Sequence, residues 1–256
     1  MRSNLRIAVL SDSHGNGFAM SAIAKDIQRH SPDVIVNLGH QVWGQADPVE
    51  ALAIQGSLGA VEVRGNNDER LIMPAQDLHP SLAALQAWLA DQLPSAELER
   101  IATLPTTASL VDGAVLVAHG TPVTPWDSLL LSWDGNGYVR RPAREVRERL
   151  LTPEVTEGTE VVLVGHMHRE DVRVVDGRLL VSVGPVSSQG DGDPRARWAL
   201  LTQRDGRWEV EARRVEYDWD GAASWERAYG PLRDVVEHAC PPNLPLRDAQ
   251  HPAPRS

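Results

Sequence analysis

A chain of 256 residues with 42% apolar content can bury a sizeable core, and a net charge of −10 without a basic run argues against nucleic-acid or membrane-surface binding as its main work. The single cysteine, Cys240, excludes an internal disulfide and points to a reducing, cytoplasmic setting. No signal peptide is expected, and no apolar run approaches the roughly 18 residues of a membrane span.

Leu5 to Leu10 reads as a buried strand that ends in the turn Ser11-Asp12-Ser13-His14-Gly15-Asn16. Asn16 is a plausible N-cap for a helix over Gly17 to His30. Val34 to Leu38 is a second buried strand, followed by Gly39-His40-Gln41. Asp47-Pro48 starts a helix to about Gln55, and Ala60 to Val63 is a third strand. Strands alternating with helices in this way indicate βαβ units and a parallel sheet. Pro80 to Leu93 is helical on Leu82, Leu85, Trp88 and Leu89, and a short helix starts at Pro94-Ser95.

The pattern then changes. Thr106 to Val111 and Ala114 to His119 flank Asp112-Gly113, the signal of a type I′ hairpin. Val172 to Val175 and Leu179 to Val183 repeat it around Asp176-Gly177, and Arg197 to Thr202 and Trp208 to Val215 around Asp205-Gly206. Between the first two hairpins lie a polar loop, Thr121 to Tyr138, a charged helix from about Pro142 to Leu151 and a strand at Val161 to Val164. The Trp126 and Trp133 loop reads equally as a substrate lid or a packed loop, and Arg195 as a phosphate grip or a surface ion pair. Ala222 to Cys240 reads as a terminal helix interrupted near Gly230-Pro231. The expected organisation is one domain over residues 1–240 with a proline-rich tail over 241–256. The layers expected are α/β/β/α, two sheets face to face with helices outside.

The candidate chemistry sits where strands end. Asp12 and His14 follow the first strand, His40 the second, and Asn66 and Asn67 the third, in Arg64-Gly65-Asn66-Asn67-Asp68. His119 ends the strand Ala114 to Ala118, and Gly165-His166-Met167-His168 follows Val161 to Val164. Ligands of open α/β sheets collect at such carboxyl ends. Asp, His and Asn without Cys suit a borderline divalent ion such as Mn²⁺, Fe²⁺, Zn²⁺, Co²⁺ or Ni²⁺. Asp12, His14, His40, Asn66, His119, His166 and His168 are too many for one ion, whereas two ions about 3.5 to 4 Å apart would use them all.

In this order, the motifs resemble the calcineurin-like metallophosphoesterase superfamily, whose pattern is D-x-H, G-D, G-N-H-[DE], H and G-H-x-H. Here the pattern runs Asp12-Ser13-His14, Gly39-His40, Gly65-Asn66-Asn67-Asp68, His119 and Gly165-His166-Met167-His168, and the resemblance spans residues 5 to about 202. Gly184-Pro185-Val186-Ser187 and Asp193-Pro194-Arg195-Ala196 are similar to the small bacterial phosphodiesterases of that superfamily. The resemblance implies a four-layer α/β/β/α sandwich of mixed sheets. It implies Asp12, His14 and His168 on one metal ion and Asn66, His119 and His166 on the other, with a water between the ions as nucleophile. Asn67, Asp68 and His14 are the residues expected to act on the substrate.

The sequence departs from the pattern twice. The bridging aspartate falls at His40, and a neutral imidazole offers one lone pair where a carboxylate can bridge with two oxygens. Asn67 stands where many members carry a histidine that protonates the leaving group, and an amide is no general acid near neutral pH. The expected function is metal-dependent hydrolysis of a small, nucleotide-like phosphoester, with Mn²⁺ the leading metal and no membrane or dedicated nucleic-acid partner; oligomeric state is left open. Dinucleoside polyphosphate hydrolysis and protein phosphatase activity stand as alternatives within that class. A weakened member acting in binding is the alternative outside it. A Ser-His-Asp hydrolase is disfavoured because no G-x-S-x-G elbow occurs.

Overall fold

The computed structural model describes residues 4–134 and 136–232. β1 (Leu5–Leu10) turns into α1 (Gly17–His30), whose N-cap Asn16 accepts the Ala19 N–H at 2.9 Å. β2 (Val34–Asn37), α2 (Pro48–Ser57) and β3 (Val61–Glu62) follow. α2 starts on Pro48, where a missing N–H costs nothing, with the Asp47 carboxylate accepting from Glu50 N–H at 3.2 Å. Next come the short α3 (Asn66–Glu69), then α4 (Pro80–Gln92) and α5 (Ser95–Ala102). The chain continues with β4 (Thr107–Leu110), β5 (Val115–Ala118), β6 (Leu131–Trp133), β7 (Tyr138–Arg140), α6 (Ala143–Leu150) and β8 (Val161–Val164). It closes with β9 (Glu170–Val175), β10 (Arg178–Val183), β11 (Ala196–Arg204), β12 (Arg207–Val215) and α7 (Trp219–Tyr229).

Two five-stranded mixed sheets form, ordered β12-β11-β1-β2-β3 and β4-β5-β8-β10-β9. β1, β2 and β3 are parallel, as are β5, β8 and β10, and antiparallel strands complete each sheet. The inner faces meet in one buried cluster. Ile7, Val9, Val36, Leu38 and Leu201 come from the first sheet, and Val115, Val117, Leu163, Val181 and Val183 from the second. Their neighbours point the other way, as a period of two requires. Ala8, Leu10, Trp198 and Leu200 lie under Met20, Ile23 and Ile27 of α1. Leu116, Val162 and Leu180 lie under Val146 and Leu150, one turn apart on α6. The layers are therefore α/β/β/α, as the sequence predicts. Both faces of each central strand are covered, which is why those strands read as unbroken apolar runs.

Three readings need correction. The turn between β4 and β5 is not a two-residue type I′ turn. Leu110 pairs with Val115, which leaves a four-residue connection carrying left-handed Val111, Asp112 and Gly113. The other two hairpins do close on two residues, Asp176-Gly177 and Asp205-Gly206, all left-handed. The Thr121 to Tyr138 stretch is not all loop, because it contains β6 and the start of β7, joined by a turn in which the Asp134 carboxylate accepts from the N–H groups of Asn136 and Gly137. The final helix begins three residues before Ala222 on its cap Asp218 and ends at Gly230. Its expected continuation to Cys240, and the tail, lie outside the described residues. No helix among the described residues is long and apolar enough to cross a membrane.

Candidate functional site

Because β1, β2 and β3 run parallel, the residues after them emerge on one edge of the first sheet; those after β5 and β8 do the same on the second. Backbone hydrogen bonds tie the loops together: Asp12 N–H to Gly39 O at 3.0 Å, His14 N–H to His40 O at 3.2 Å, Gly165 N–H to His119 O at 2.8 Å and Ser187 N–H to Asp12 O at 3.1 Å. The approach is close enough to dictate glycine. A Cβ on Gly165 would lie 2.0 Å from Ser11 Oγ, and one on Gly65 2.6 Å from His40 N. Asp12, His14, His40, His166 and His168 take left-handed backbone with φ of 56°, 51°, 60°, 71° and 51°. Left-handed backbone at non-glycine residues costs on the order of 1 kcal/mol or more each, and its clustering at one edge is typical of functional sites.

The turns bring together all seven sequence-predicted ligand residues, each buried. The imidazole Nε2 atoms of His14 and His168 lie 3.0 Å apart, and His119 Nε2 lies 3.1 Å from Asn66 Oδ1. Asp12, His14, His40 and His168 each turn one ligand atom into a group whose members lie within 4.8 Å of one another. His166 joins through its backbone N–H, which donates to Asp12 Oδ2 at 3.0 Å, and its ring packs edge-on against His119 at 5.2 Å.

Hydrogen bonding decides what these atoms offer. His119 Nδ1 lies 2.8 Å from Leu38 O and His168 Nδ1 lies 3.0 Å from Ser188 O. A carbonyl oxygen only accepts, so both Nδ1 atoms carry the proton and both Nε2 atoms present lone pairs to the cluster. Asp12 Oδ2 accepts from Ser11 Oγ at 2.6 Å, while Asp12 Oδ1 is buried without a hydrogen-bond partner. Around that oxygen stand His40 Nδ1 at 3.2 Å, His168 Nε2 at 3.4 Å and His119 Nε2 at 3.8 Å. An orphaned carboxylate oxygen facing imidazole lone pairs is a cation-shaped arrangement, and this donor set fits a divalent metal ion.

Burial opposes the Asp12 charge, but His119, His168 and His40 outweigh it and hold the carboxyl well below its ordinary range. Burial pushes His40 down from 6.5 to about 4 and also lowers His119 and His166. As pH falls through 6.5, unfolded histidines take protons that the native rings refuse, so stability present above 6.5 is lost on acidification, for His40 by about pH 4. For His40 the loss is on the order of 3 kcal/mol. Asp68 acts oppositely, since burial raises it to about 7 and native protonation favours folding as pH falls from 7. The His40 contribution is therefore read as a difference. The chelator-stripped protein should lose more melting temperature between pH 7 and 4.5 than its His40→Gln variant, and equal losses would contradict a buried neutral His40.

Asp68, expected to act on the substrate, makes its hydrogen bonds with backbone. Its carboxylate accepts from the backbone N–H groups of His40 at 2.7 Å, Gln41 at 2.8 Å and Gly65 at 2.7 Å, clamping two ligand loops together. Asn67 does reach the cluster, with Nδ2 against His40 Nε2. Arg70, which the sequence reading passed over, donates to Asn67 Oδ1 and lies 4.9 Å from the Trp126 ring. The three-residue spacing of Asn67 and Arg70, one helical turn, is the signal that would have paired them. Trp126 Nε1 donates to Glu69 Oε2 at 2.5 Å, so Trp126 is packed against this segment, whereas Trp133 is 48% exposed. Arg195 pairs with Asp193 at 2.7 Å, the ion-pair reading of that residue.

Residues 5–206 match the family model of the calcineurin-like phosphoesterase superfamily domain. A crystal structure of a metallophosphoesterase from Sphaerobacter thermophilus is similar at a TM-score of 0.69 and 27% identity, over 91% of this chain and 100% of that one. A hypothetical protein from Pyrococcus horikoshii OT3 shares the fold at a TM-score of 0.73 and 18% identity, over 91% of this chain and 96% of that one. An uncharacterized protein of Methanocaldococcus jannaschii is 24% identical over 233 residues, 83% of this chain and 88% of that protein.

Proposed function

We propose a function on one premise: the chain belongs to the calcineurin-like phosphoesterase superfamily, whose family model spans residues 5–206. The reading is a metal-dependent phosphoesterase that hydrolyses a small, nucleotide-like phosphoester in the cytoplasm. The observation that carries it is Asp12 Oδ1, buried, ionised and without a hydrogen-bond partner among imidazole nitrogens.

Asp12, His14 and His168 would hold one divalent ion, and Asn66, His119 and His166 a second. Such ions supply positive charge for the phosphoryl oxygens and acidify a bound water. The chain's own residues prepare the site. Leu38 O and Ser188 O fix the His119 and His168 rings with Nε2 inward. Ser11 Oγ and the His166 N–H hold Asp12 Oδ2, leaving Oδ1 for the cation. Asn67 offers amide N–H groups beside the cluster and no acidic proton, so a departing oxygen must carry its own charge.

Chelation should abolish hydrolysis of an aryl phosphodiester, and Mn²⁺ should restore it. Metal analysis of the active sample should return metal in proportion to chain. Full activity in a chelator-stripped sample would end this reading. A second reading, a weakened member that binds phosphoesters with little turnover, is favoured by one observation, His40 in place of a bridging carboxylate. Phosphate binding without restored hydrolysis in the same experiment would select it.

A further inference from the structure

Trp133, at the end of β6, leaves a large aromatic ring half in solvent, 48% exposed. Such a ring covers much apolar area at the cost of two side-chain torsions, which makes an exposed one suited to stacking on a ligand.

The hairpin that carries it is anchored. Its base is pinned to β9, where Arg140 pairs with Asp171 at 2.6 Å and Arg173 donates to Arg141 O at 2.8 Å and to Leu130 O. Leu129, Leu130 and Leu131 are buried in one cluster with Val162 and Val164 of β8. At the other end Trp133 meets Tyr138 across the closing pair of the hairpin, with ring centroids 5.1 Å apart and planes at 72°. The Asp134 carboxylate fastens the turn beyond them by accepting from the N–H groups of Asn136 and Gly137. The rings are therefore held in place before any ligand arrives, and binding need not order them.

Tyr138 joins that end of the hairpin to the candidate ligands. Arg169 directly follows His168, and its guanidinium lies 5.8 Å from the centre of the Tyr138 ring. Met167, on the other side of His168, packs against the same buried cluster as Tyr138. Arg169 also donates to Gly190 O at 3.3 Å, a second tie on the guanidinium. Trp126 offers no comparable platform, because its Nε1 is on Glu69 and its ring is against Arg70. A buried cation-binding cluster, then an arginine, then two edge-to-face rings match a ligand with phosphate at one end and a flat ring at the other. A nucleotide has that form: one sugar separates base from phosphate, and every base has a π-face.

We propose that Trp133 and Tyr138 form a base-stacking subsite beside the candidate metal centre, with Arg169 between the rings and the ligand His168, and that the subsite takes the nucleobase of a nucleotide phosphoester. The inference rests on the phosphoesterase reading and names the residues that recognise the part of the substrate away from the metal. Trp133 is the specificity-determining residue, since its ring has the open area.

The test is calorimetric titration of the full chain loaded with Mn²⁺. The ligands are inorganic phosphate, ribose 5-phosphate and adenosine 5′-monophosphate, the last two differing only in the base. The unaltered protein should bind the adenosine ligand roughly tenfold more tightly than the ribose one, the expected gain for one stacked base. Trp133→Ala should lose that preference and bind inorganic phosphate as before. Trp133→Tyr keeps an aromatic ring and should keep most of the preference. The adenosine ligand should quench tryptophan fluorescence in the unaltered protein and not in Trp133→Tyr. Should Trp133→Ala fail to fold, this pair of readings on Trp133→Tyr decides the question. Equal affinities for the two sugar phosphates in the unaltered protein would overturn the subsite while the phosphoesterase reading stands, as would a preference that survives Trp133→Ala or quenching that persists in Trp133→Tyr. A dimer of the unaltered protein that Trp133→Ala abolishes would give the ring to a second copy of the chain, and also overturns the subsite. If none of the three ligands binds, the phosphoesterase reading fails and the subsite with it.

Discussion

The His40→Asp variant should carry more metal per chain and be more active at limiting Mn²⁺ than the unaltered protein. With histidine at position 40 the candidate ligands bring one negative charge, from Asp12; with aspartate they bring two. Two divalent ions would then leave the cluster at +2 in place of +3 before water and substrate are counted. At an effective dielectric of about 20, a unit charge pair about 4 Å apart is worth on the order of 4 kcal/mol. Desolvation of the new carboxylate offsets much of this, so roughly tenfold tighter metal binding is the expected minimum.

The metal-free variant should behave in the opposite way. His40 Nδ1 lies 3.2 Å from Asp12 Oδ1, so a carboxylate at position 40 would set a second anion beside a buried one. Its melting temperature without metal should drop below that of the unaltered protein, and the rise on adding Mn²⁺ should be larger by linkage. Equal occupancy, equal activity and equal melts would show that position 40 does not act on the cation site.

Asp12→Asn should reduce hydrolysis at least roughly 10³-fold, since the substitution removes the one ionised side chain among the proposed ligands. Metal content should fall with it. Stability without metal should fall somewhat, because the native state holds the Asp12 carboxyl well below its ordinary range, so its charge is favoured on folding. The amide oxygen can still accept from Ser11 Oγ and the His166 N–H, the contacts now made by Oδ2. An inactive but folded variant that melts somewhat below the unaltered temperature is the expected result. Retained activity with bound metal would remove Asp12 from the site, and an inactive, unfolded variant would make its role structural.

The strand-ending positions of Asp12, His40, Asn66, His119 and His166 were legible in the sequence because each follows an apolar run too short for a helix and is flanked by glycine or another turn former. The α/β/β/α layering was legible for a related reason. Strands covered on both faces must be apolar throughout, and Val161 to Val164 and Ala114 to Ala118 are. The β6–β7 hairpin was not, since Asp134 to Gly137 resemble loop and the flanking strands are three residues each.

Side-chain roles inside the site were the least legible. The sequence placed Asp68 beside Asn67 as a reacting group, yet only the folded loops put its carboxylate on the N–H groups of His40, Gln41 and Gly65. Arg70 carried no motif of its own, and its contacts with Asn67, one turn away, and with Trp126, from a distant loop, appear only in the folded chain. By itself the sequence determined which residues end strands, because hydrophobic period and turn chemistry are local. Which ring nitrogen keeps a lone pair was decided only by the tertiary structure, because a tautomer is set by the group at the ring's far side: Leu38 O for His119, reaching across 81 residues of chain, and Ser188 O for His168.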